Sequence, residues 1–218
     1  MIDIIPSILV PDEQTFLACA KAVEEALPMI QLDIADGTFV ESTTWADPDT
    51  IIDKLEIDCE LHLMVSDPLK EIKLWDDIPQ IKRVLVHYES DPDNVQDILN
   101  QVRSYGWDVG LVLNPTTSVD VVDDLIEDID LLMFMGVEPG KQGQKFIPET
   151  LNRIRDARAR FPQLYISIDG AVNEDTLPDL VSAGVSAVCP GSAIFGNDRT
   201  PAENVGRMRE MIHSLQKD

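Results

Sequence analysis

Strand-like and helix-like segments alternate eight times along this chain of 218 residues, and that alternation limits the fold more than any other feature. Apolar strand patterns are predicted at about 2–8, 29–35, 59–65, 82–88, 108–113, 130–137, 163–169 and 185–190. Helical patterns are predicted at about 12–27, 47–55, 67–76, 92–105, 118–126, 148–160, 174–183 and 201–216. Strict alternation predicts a parallel sheet, and eight units in this length fit an α/β fold of the (β/α)8 TIM-barrel type.

The sequence indicates a single domain over residues 1–218, because no linker, low-complexity tract or block of charge divides it. A doubly wound sheet is the alternative topology. It is disfavoured because Pro6-Ser7-Ile8 follows the first strand, where a dinucleotide-binding fold carries a glycine-rich loop.

The charge balance limits the partners. Forty acidic residues against 17 basic ones give a net charge of −23, which argues against nucleic acid and anionic membranes as partners. No apolar run reaches the roughly 20 residues that span a bilayer, and the N-terminus lacks the basic and apolar regions of a signal peptide. We therefore predict a cytoplasmic protein. Cys19, Cys59 and Cys189 are widely spaced among apolar neighbours and are interpreted as buried thiols.

Two predicted strands end in a carboxylate just before a glycine turn. The first is Ile30-Gln31-Leu32-Asp33-Ile34-Ala35-Asp36-Gly37, and the second is Ile166-Ser167-Ile168-Asp169-Gly170. Ligands of parallel α/β proteins bind where the strands end, so Asp33 and Asp169 are predicted to face one substrate. One would take a proton from carbon and the other would return one, which is the chemistry of an epimerase. Asp36 is assigned to the turn.

Residue parity along the strands predicts which side chains line the barrel interior. Gln31 shares a face with Asp33, and His62 shares a face with Met64. If the polar members point inward, five of them converge near the top of the barrel: Ser7, Gln31, Asp33, His62 and Asp169. Taken alone, His62 would be a core histidine, the methionines would be core filler, and His87 and Glu89 would be a structural pair.

Glycine turns follow the seventh and eighth predicted strands, at Gly170-Ala171-Val172 and at Gly191-Ser192-Ala193-Ile194-Phe195-Gly196. Loops at these places in TIM barrels often bind phosphate through backbone N–H groups, and Ser192 adds a hydroxyl donor. The polar, glycine-rich segment 136–146 follows the sixth strand. It is interpreted either as a closing lid that carries Lys141 and Lys145 or as an ordinary loop.

Eight motifs follow one another along nearly the whole chain: Pro6-Ser7-Ile8-Leu9, Asp33-Ile34-Ala35-Asp36-Gly37-Thr38-Phe39-Val40, His62-Leu63-Met64, Asn114-Pro115, Met135-Gly136-Val137-Glu138-Pro139-Gly140, Gly143-Gln144-Lys145-Phe146, Ile168-Asp169-Gly170 and Gly191-Ser192-Ala193-Ile194-Phe195-Gly196. Together they resemble the ribulose-phosphate 3-epimerase family. The resemblance implies a TIM barrel that interconverts D-ribulose 5-phosphate and D-xylulose 5-phosphate. It also implies a homo-oligomer.

The resemblance further implies the roles of individual residues. Asp33 and Asp169 match the aspartates that act as acid and base on opposite faces of C3. A divalent metal, commonly zinc or iron, is held in the family by two histidines and these two aspartates, and it stabilises an enediolate. The remaining matches are substrate-binding: Ser7 contacts the substrate, Met64 and Met135 wall the intermediate, and the glycine-containing loops contribute Gly140, Gly143, Gly170, Ala171, Gly191 and Ser192.

The chain departs from the family pattern at the position of the first metal histidine, which is Gln31. The metal ligands are then reduced to Asp33, His62 and Asp169. Alternatively, the Gln31 amide and His62 donate hydrogen bonds to the enediolate without a metal. Ala35, Ser42 and Ala171 also differ from the family residues. Two other functions stay open: an epimerase for hexulose 6-phosphate, and a non-catalytic sugar-phosphate-binding protein, against which the joint presence of both aspartates and His62 speaks.

Overall fold

The computed structural model describes residues 2–140 and 143–217 and shows a sheet of nine parallel strands. Their bounds are β1 (Asp3–Ile4), β2 (Ser7–Ile8), β3 (Met29–Ala35), β4 (Asp58–Met64), β5 (Ile81–His87), β6 (Asp108–Leu113), β7 (Leu131–Met135), β8 (Tyr165–Asp169) and β9 (Ala187–Cys189). All eight predicted strands are present, and the first of them is divided into β1 and β2.

That division closes the barrel. The strand β1 pairs with β9, whereas β2 pairs with β3, so the two ends of the sheet lie on one short segment of chain. Between them, Ile5 donates its N–H to the Val188 carbonyl at 3.0 Å, and the Pro6 carbonyl accepts from the Gln31 N–H at 2.9 Å. Proline has no N–H to donate, and it lies where the strand changes partners. The α/β TIM barrel is therefore confirmed.

Among the residues that the structure describes, six helices lie between strands and two follow β9: α1 (Glu13–Val23), α2 (Pro48–Lys54), α3 (Pro68–Ile72), α4 (Val95–Ser104), α5 (Glu149–Arg160) and α6 (Leu177–Ala183), then α7 (Ser192–Phe195) and α8 (Pro201–Leu215). Local signals start several of them. Asp12, Asp47 and Asp67 each accept a hydrogen bond from the backbone N–H three residues later, as N-cap residues do. A capping box between Thr200 and Glu203 starts α8.

The predicted helix at 118–126 is wrong. The structure has two 3-10 turns there, Val119–Val122 and Ile126–Asp128. Valine and aspartate, which fill this segment, are poor helix formers, and the Ser118 hydroxyl accepts from the Asp120 N–H in a tight local turn. The predicted helix at 67–76 ends early, because α3 passes into a 3-10 turn at Lys73–Trp75.

Apolar side chains fill two places. The larger core lies between the strands and the surrounding helices and includes Phe16, Trp75 and Phe134. A smaller cluster fills the barrel interior: Ile5, Leu85, Val112, Leu131, Met133, Met135, Ala187 and Cys189. Cys59 and Cys189 are buried free thiols as predicted, whereas Cys19 is only half-buried. None of the described helices is long and apolar enough to cross a membrane.

Candidate active site

The strand register brings the predicted acid–base residues together at the carboxyl end of the barrel. Asp33 on β3 is in register with His62 on β4, and Gln31 is in register with Ser7 on β2. Asp169 is the last residue of β8, which pairs with β9, so closure of the sheet through β1 and β2 puts it at the same end of the barrel as Asp33. Gln31 and His62 are fully buried, whereas 3% of Asp33 and 7% of Asp169 are exposed, so the two carboxyl groups are the members of this group that meet solvent.

A single amide bridges the two carboxyl groups. Gln31 Nε2 donates to Asp33 Oδ1 at 2.8 Å and to Asp169 Oδ2 at 3.0 Å. His62 Nδ1 lies 2.8 Å from Asp33 Oδ1 and 3.4 Å from Asp169 Oδ2. The second oxygen of Asp169 accepts from the Gly170 N–H at 2.8 Å. The four side chains therefore form one buried polar cluster of Gln31, Asp33, His62 and Asp169, called the carboxyl-end cluster below.

A cavity of about 280 Å³ opens above this cluster. Most of the predicted site residues line it: Ser7, Asp33, Met64, Met135, Gly140, Gly143, Asp169, Gly170, Ala171, Gly191 and Ser192. Gln31 and His62 lie beneath the lining and contact the aspartates from below. Sequence reasoning missed seven further lining residues: Leu9, Val137, Pro139, Gln144, Val172, Asn173 and Cys189. Leu9, Val137, Pro139 and Gln144 fall in the quoted motifs, which were the available signal.

The wall of the cavity formed after β8 and β9 is built from tight turns. Gly170 has a φ of +98°, and a Cβ there would lie 2.6 Å from Val137 Cγ2. Ala171 has a φ of +55°, a left-handed conformation that costs a residue with a Cβ roughly 1–2 kcal/mol. A Cβ at Gly191 would lie 3.1 Å from Ser7 Oγ, so this turn packs against β2. The backbone of these turns therefore forms the cavity wall on this side.

The loop after β7 lines the cavity next to these turns, and it contacts the loop after β3. Asp36 accepts from the Thr38, Phe39 and Ser66 backbone N–H groups, which confirms its assignment to the turn. These hydrogen bonds lower the pKa of Asp36 to about 2. Ser42 Oγ donates to the Gly140 carbonyl at 2.5 Å and so ties the two loops together. Lys141 lies outside the described residues, so the lid in this segment stays a prediction.

Residues 3–195 match the family described as "Ribulose-phosphate 3 epimerase family". This chain belongs to the ribulose-phosphate 3-epimerase family. A rice relative (Oryza sativa subsp. japonica), named "Ribulose-phosphate 3-epimerase, cytoplasmic isoform", is 32% identical, with 98% of this chain and 95% of the relative covered. The ribulose-phosphate 3-epimerase of Bacillus subtilis is also 32% identical, with 93% of this chain and 96% of the relative covered. The chain is thus an isomerase of the epimerase class that acts on carbohydrates.

Solved structures of lower identity confirm the fold of this ribulose-phosphate 3-epimerase family member. The 3-hexulose-6-phosphate synthase from Salmonella typhimurium superposes with a TM-score of 0.73 at 16% identity, covering 98% of this chain and all of that chain (100%). The orotidine 5'-monophosphate decarboxylase from Sulfolobus solfataricus superposes with a TM-score of 0.69 at 12% identity, covering 99% and 100% of the two chains. At these identities the likeness concerns the barrel alone.

Electrostatics divide the protons unequally within the carboxyl-end cluster of this epimerase-family barrel. Burial, together with the negative charge of Asp169, raises the pKa of Asp33. Hydrogen bonds to Asp169 and Asp33 raise the pKa of His62 to about 10, against the opposing effect of its burial. At neutral pH the imidazole is therefore a cation, and Asp33 is the carboxyl group that favours holding a proton.

A second histidine supports the first, and sequence reasoning gave it no part in the site. His87 Nε2 lies 2.9 Å from His62 Nε2, and burial and the charge of His62 lower the pKa of His87 to about 4. A neutral His87 can accept the Nε2 proton of His62, which leaves the Nδ1 proton of His62 for the aspartates. On its other side His87 Nδ1 lies 3.5 Å from Glu89 Oε2, in line with the predicted pairing.

Three residues of the carboxyl-end cluster have the donor atoms to hold a metal ion. Ligand atoms of Asp33, His62 and Asp169 all lie within 4.8 Å of one another and are buried. A divalent metal is bound in proteins by this kind of imidazole and carboxylate set. Gln31 Oε1, from the same cluster, is a buried polar atom with no hydrogen-bond partner among the described residues. The donor chemistry of the cluster thus fits a divalent cation.

Proposed function

We propose that this chain is a sugar-phosphate epimerase that interconverts D-ribulose 5-phosphate and D-xylulose 5-phosphate by proton transfer at C3. One observation carries the proposal: the buried carboxyl groups of Asp33 and Asp169 reach the same cavity from β3 and β8 and are bridged by one amide. The names of the rice and Bacillus subtilis relatives support the choice of substrate.

The reaction needs one base and one acid on opposite sides of C3. A carboxylate removes the C3 proton, and the electron pair of that C–H bond forms the C2–C3 double bond while the C2 carbonyl becomes an oxyanion. The other carboxyl group then gives its proton to C3 from the opposite face. The π pair of the C2–C3 double bond forms the new C–H bond, and a lone pair of the oxyanion re-forms the C2 carbonyl. Reactant and product differ only in configuration at C3, so no oxidant or co-reactant is required.

The raised pKa of Asp33 suits this cycle. Asp33, whose pKa is raised by burial and by Asp169, starts as the acid. Asp169 then starts as the base, with its Oδ1 held by the Gly170 N–H. The roles exchange in the reverse direction, because each turnover leaves the proton on the other aspartate. In the metal-free protein the shared amide of Gln31 holds both carboxyl groups in place.

Negative charge that develops on the enediolate needs a nearby positive group. The His62 imidazolium, which contacts both aspartates and is held from behind by His87, supplies a buried positive charge in the carboxyl-end cluster. A divalent cation held by Asp33, His62 and Asp169 would replace this charge, because His62 would release its Nδ1 proton to ligate it, and the cation would supply Lewis-acid stabilisation of the enediolate.

The substrate phosphate is assigned to the turns after β8 and β9. Ala171, Gly191 and Ser192 line the cavity there, and the first N–H groups of a helix such as α7 have no acceptor within the helix. The chain carries a net charge of −23, but salt limits the range over which exposed charges act to about 8 Å. These local donors therefore decide phosphate binding.

The apolar part of the cavity protects the intermediate. Met64 and Met135 line the cavity although they are almost fully buried, with 1% and 2% exposed. Thioether side chains pack against a flat enediolate without offering protons, and they exclude water that would protonate it on either face.

The test is an NMR assay of D-ribulose 5-phosphate in D2O with chelator-treated protein, with and without added Zn²⁺, Fe²⁺ or Mn²⁺. We expect deuterium at C3 and conversion to D-xylulose 5-phosphate in at least one of these conditions, and loss of both in the Asp169→Asn variant. Unchanged turnover in Asp169→Asn would contradict the assigned chemistry. Exchange of a hexulose 6-phosphate but not of the pentulose would replace the substrate, and phosphate-sugar binding without any exchange would leave a binding protein.

A further inference from the structure

The terminal nitrogen of Gln31 lies among the three metal-competent side chains at the spacing of a fourth ligand. It is 2.8 Å from Asp33 Oδ1, 3.0 Å from Asp169 Oδ2 and 3.2 Å from His62 Nδ1. The His62 nitrogen is itself 2.8 Å and 3.4 Å from the same two oxygens. Donor atoms held about 2.0–2.2 Å from one divalent ion at right angles lie about 3 Å apart. The four side chains therefore have the spacing of one coordination shell.

The Gln31 amide has a second orientation that would convert it into a ligand. Its NH2 group now bridges two carboxyl groups, while Oε1 is buried without a partner among the described residues. A half-turn of the amide exchanges the two atoms, which have nearly the same size, and brings Oε1 to the position of Nε2. An amide nitrogen does not ligate divalent cations, whereas an amide oxygen does.

The strand holds Gln31 at this place. Its backbone N–H donates to the Pro6 carbonyl at 2.9 Å, and its side chain is fully buried. The amide can therefore turn over about its last bond, but the side chain has no solvent-exposed position to which it could withdraw. A cation that enters between Asp33, His62 and Asp169 must meet the end of Gln31.

We infer that Gln31 Oε1 is the fourth ligand of a divalent-cation site with Asp33, His62 and Asp169, and that this oxygen shifts the selectivity of the site from Zn²⁺ toward hard cations of the Mn²⁺ class, relative to a histidine at position 31. Three oxygens and one imidazole nitrogen make up the donor set. Carboxylate and carbonyl oxygens suit Mg²⁺ and Mn²⁺, whereas additional imidazole or thiolate favours Zn²⁺. The use of this cation in turnover rests on the proposed function, but the site itself is tested by binding.

The experiment is a titration of chelator-treated protein with Mn²⁺, in which the EPR signal of free Mn²⁺ gives the bound fraction; Zn²⁺ affinity is measured by competition. Wild type should bind one Mn²⁺ that Asp169→Ala, which has no donor atom at this place, does not bind; this difference separates the site from weak binding to the acidic surface. Gln31→Leu should weaken Mn²⁺ binding at least tenfold, because it removes one ligand. Gln31→His should shift the ratio of Zn²⁺ to Mn²⁺ affinity at least tenfold toward Zn²⁺.

Two further variants keep the test decisive. Gln31→Glu retains an oxygen at the same place and should bind Mn²⁺ at least as tightly as wild type, whether or not the leucine variant folds. Gln80→Leu removes a comparable amide whose Oε1 is also unpartnered, outside the carboxyl-end cluster, and should leave Mn²⁺ affinity unchanged.

Equal or tighter Mn²⁺ binding by Gln31→Leu would overturn the inference, as would an unchanged Zn²⁺ to Mn²⁺ ratio in Gln31→His. The proposed function fails separately. If the protein binds Mn²⁺ as expected but does not convert D-ribulose 5-phosphate, only the function is contradicted. If it converts the substrate and binds no Mn²⁺ at the cluster, only the cation site is contradicted.

Discussion

Two neighbouring layers inside the barrel each bury carboxyl groups, yet they treat them differently. In the lower layer, Glu60 is 1% exposed and receives a hydrogen bond from Arg83 Nη1 at 2.8 Å. In the upper layer, Asp33 and Asp169 share one imidazole and one amide and face a cavity. The layers are adjacent, because Gln31 pairs with Glu60 in the sheet and Asp33 pairs with His62 two residues further on.

The difference lies in the partners. Glu60 has its own fixed cation, although burial still outweighs Arg83 and raises the pKa of Glu60 to about 7. Asp33 and Asp169 lie beside one shared imidazole, that of His62. A buried acid with a dedicated cation contributes to structure, whereas acids that share one positive group beside a cavity can exchange protons with a substrate.

Cavity size does not make this distinction. A cavity of about 540 Å³, larger than the one above the aspartates, opens at the amino end of the barrel and is lined largely by apolar side chains. Arg83 and Tyr165 reach it, but Arg83 is engaged by Glu60, and Tyr165 donates its hydroxyl to Asp3 at 2.7 Å. The smaller cavity is the better candidate, because its acids lack such fixed partners.

The largest effect should come from a matched pair of carboxyl-to-amide changes. Asp169→Asn should lower kcat by about 10³-fold, because it removes a proton-transfer group, while the fold is retained. Glu60→Gln should keep kcat within about threefold, because Glu60 does not line the cavity. It should leave the free energy of unfolding at pH 7 nearly unchanged, because the raised pKa of Glu60 means that the folded site favours a neutral side chain. Steady-state kinetics and urea unfolding measure the two quantities. If folded Glu60→Gln were as inactive as Asp169→Asn, the division between the layers would be wrong.

Replacement of His87, which contacts the far side of the His62 ring, should have the next largest effect on kcat. His87→Phe removes the acceptor for His62 Nε2 and should lower kcat about 10- to 100-fold, as loss of such a supporting hydrogen bond does. It should also shift the pH dependence of kcat, which a purely structural defect would not do. His213→Gln, on the exposed face of α8, is the control and should change neither quantity. An unaltered pH profile in His87→Phe would show that His87 does not control the protonation of His62.

The two histidines should also respond to pH in opposite directions in chelator-treated protein. His62, with its pKa raised to about 10, should stay protonated at neutral pH and stabilise the fold until the pH rises through about 10. His87, with its pKa lowered to about 4, should stay neutral at neutral pH. The fold should lose stability as the pH falls from 6.5, the ordinary pKa of histidine, to about 4, because only the unfolded chain then protonates this side chain. Imidazole ¹⁵N spectra of His213→Gln, which leaves only these two histidines, measure both. A His62 that is neutral at pH 7 would contradict the proton distribution described above.

The smallest effect should come from the turn after β8. Ala171→Gly should raise the free energy of unfolding by about 0.5 kcal/mol, because it relieves a left-handed conformation but adds freedom to the unfolded chain. Urea unfolding measures it, with kcat expected to change less than twofold. A loss of stability would show that the Ala171 methyl group contributes packing that outweighs its backbone strain.

Much of this arrangement was predictable from local pattern. Strand and helix periodicity placed every strand, and parity placed Gln31, Asp33 and His62 on one inner face. Tertiary pairing explains what was missed. The register between β4 and β5 shifts at Cys59 and Glu60, so that Cys59 pairs with Ile81 but Glu60 pairs with Arg83. This irregularity reverses the parity of β5 and puts His87 on the inner face, which strict alternation from Ile81 does not predict.

The bridging amide is the second feature that pattern could not supply. The sequence identified Gln31 as a substitution for a metal histidine and left two roles open. Only the folded structure, in which Asp169 lies 3.0 Å from the Gln31 amide, shows that one amide reaches both carboxyl groups. The homo-oligomer and the cytoplasmic location stay predictions.

The most direct test of two-sided proton transfer is deuterium exchange at C3 by Asp33→Asn and Asp169→Asn, each measured by NMR in D2O with D-ribulose 5-phosphate and with D-xylulose 5-phosphate. Each variant keeps one proton-transfer group, so neither should epimerise. We expect complementary results, with one variant exchanging the C3 proton of only one epimer and the other variant that of only the other epimer. Exchange of the same epimer by both variants, or epimerisation by either, would contradict the assignment of Asp33 and Asp169 to opposite faces of C3.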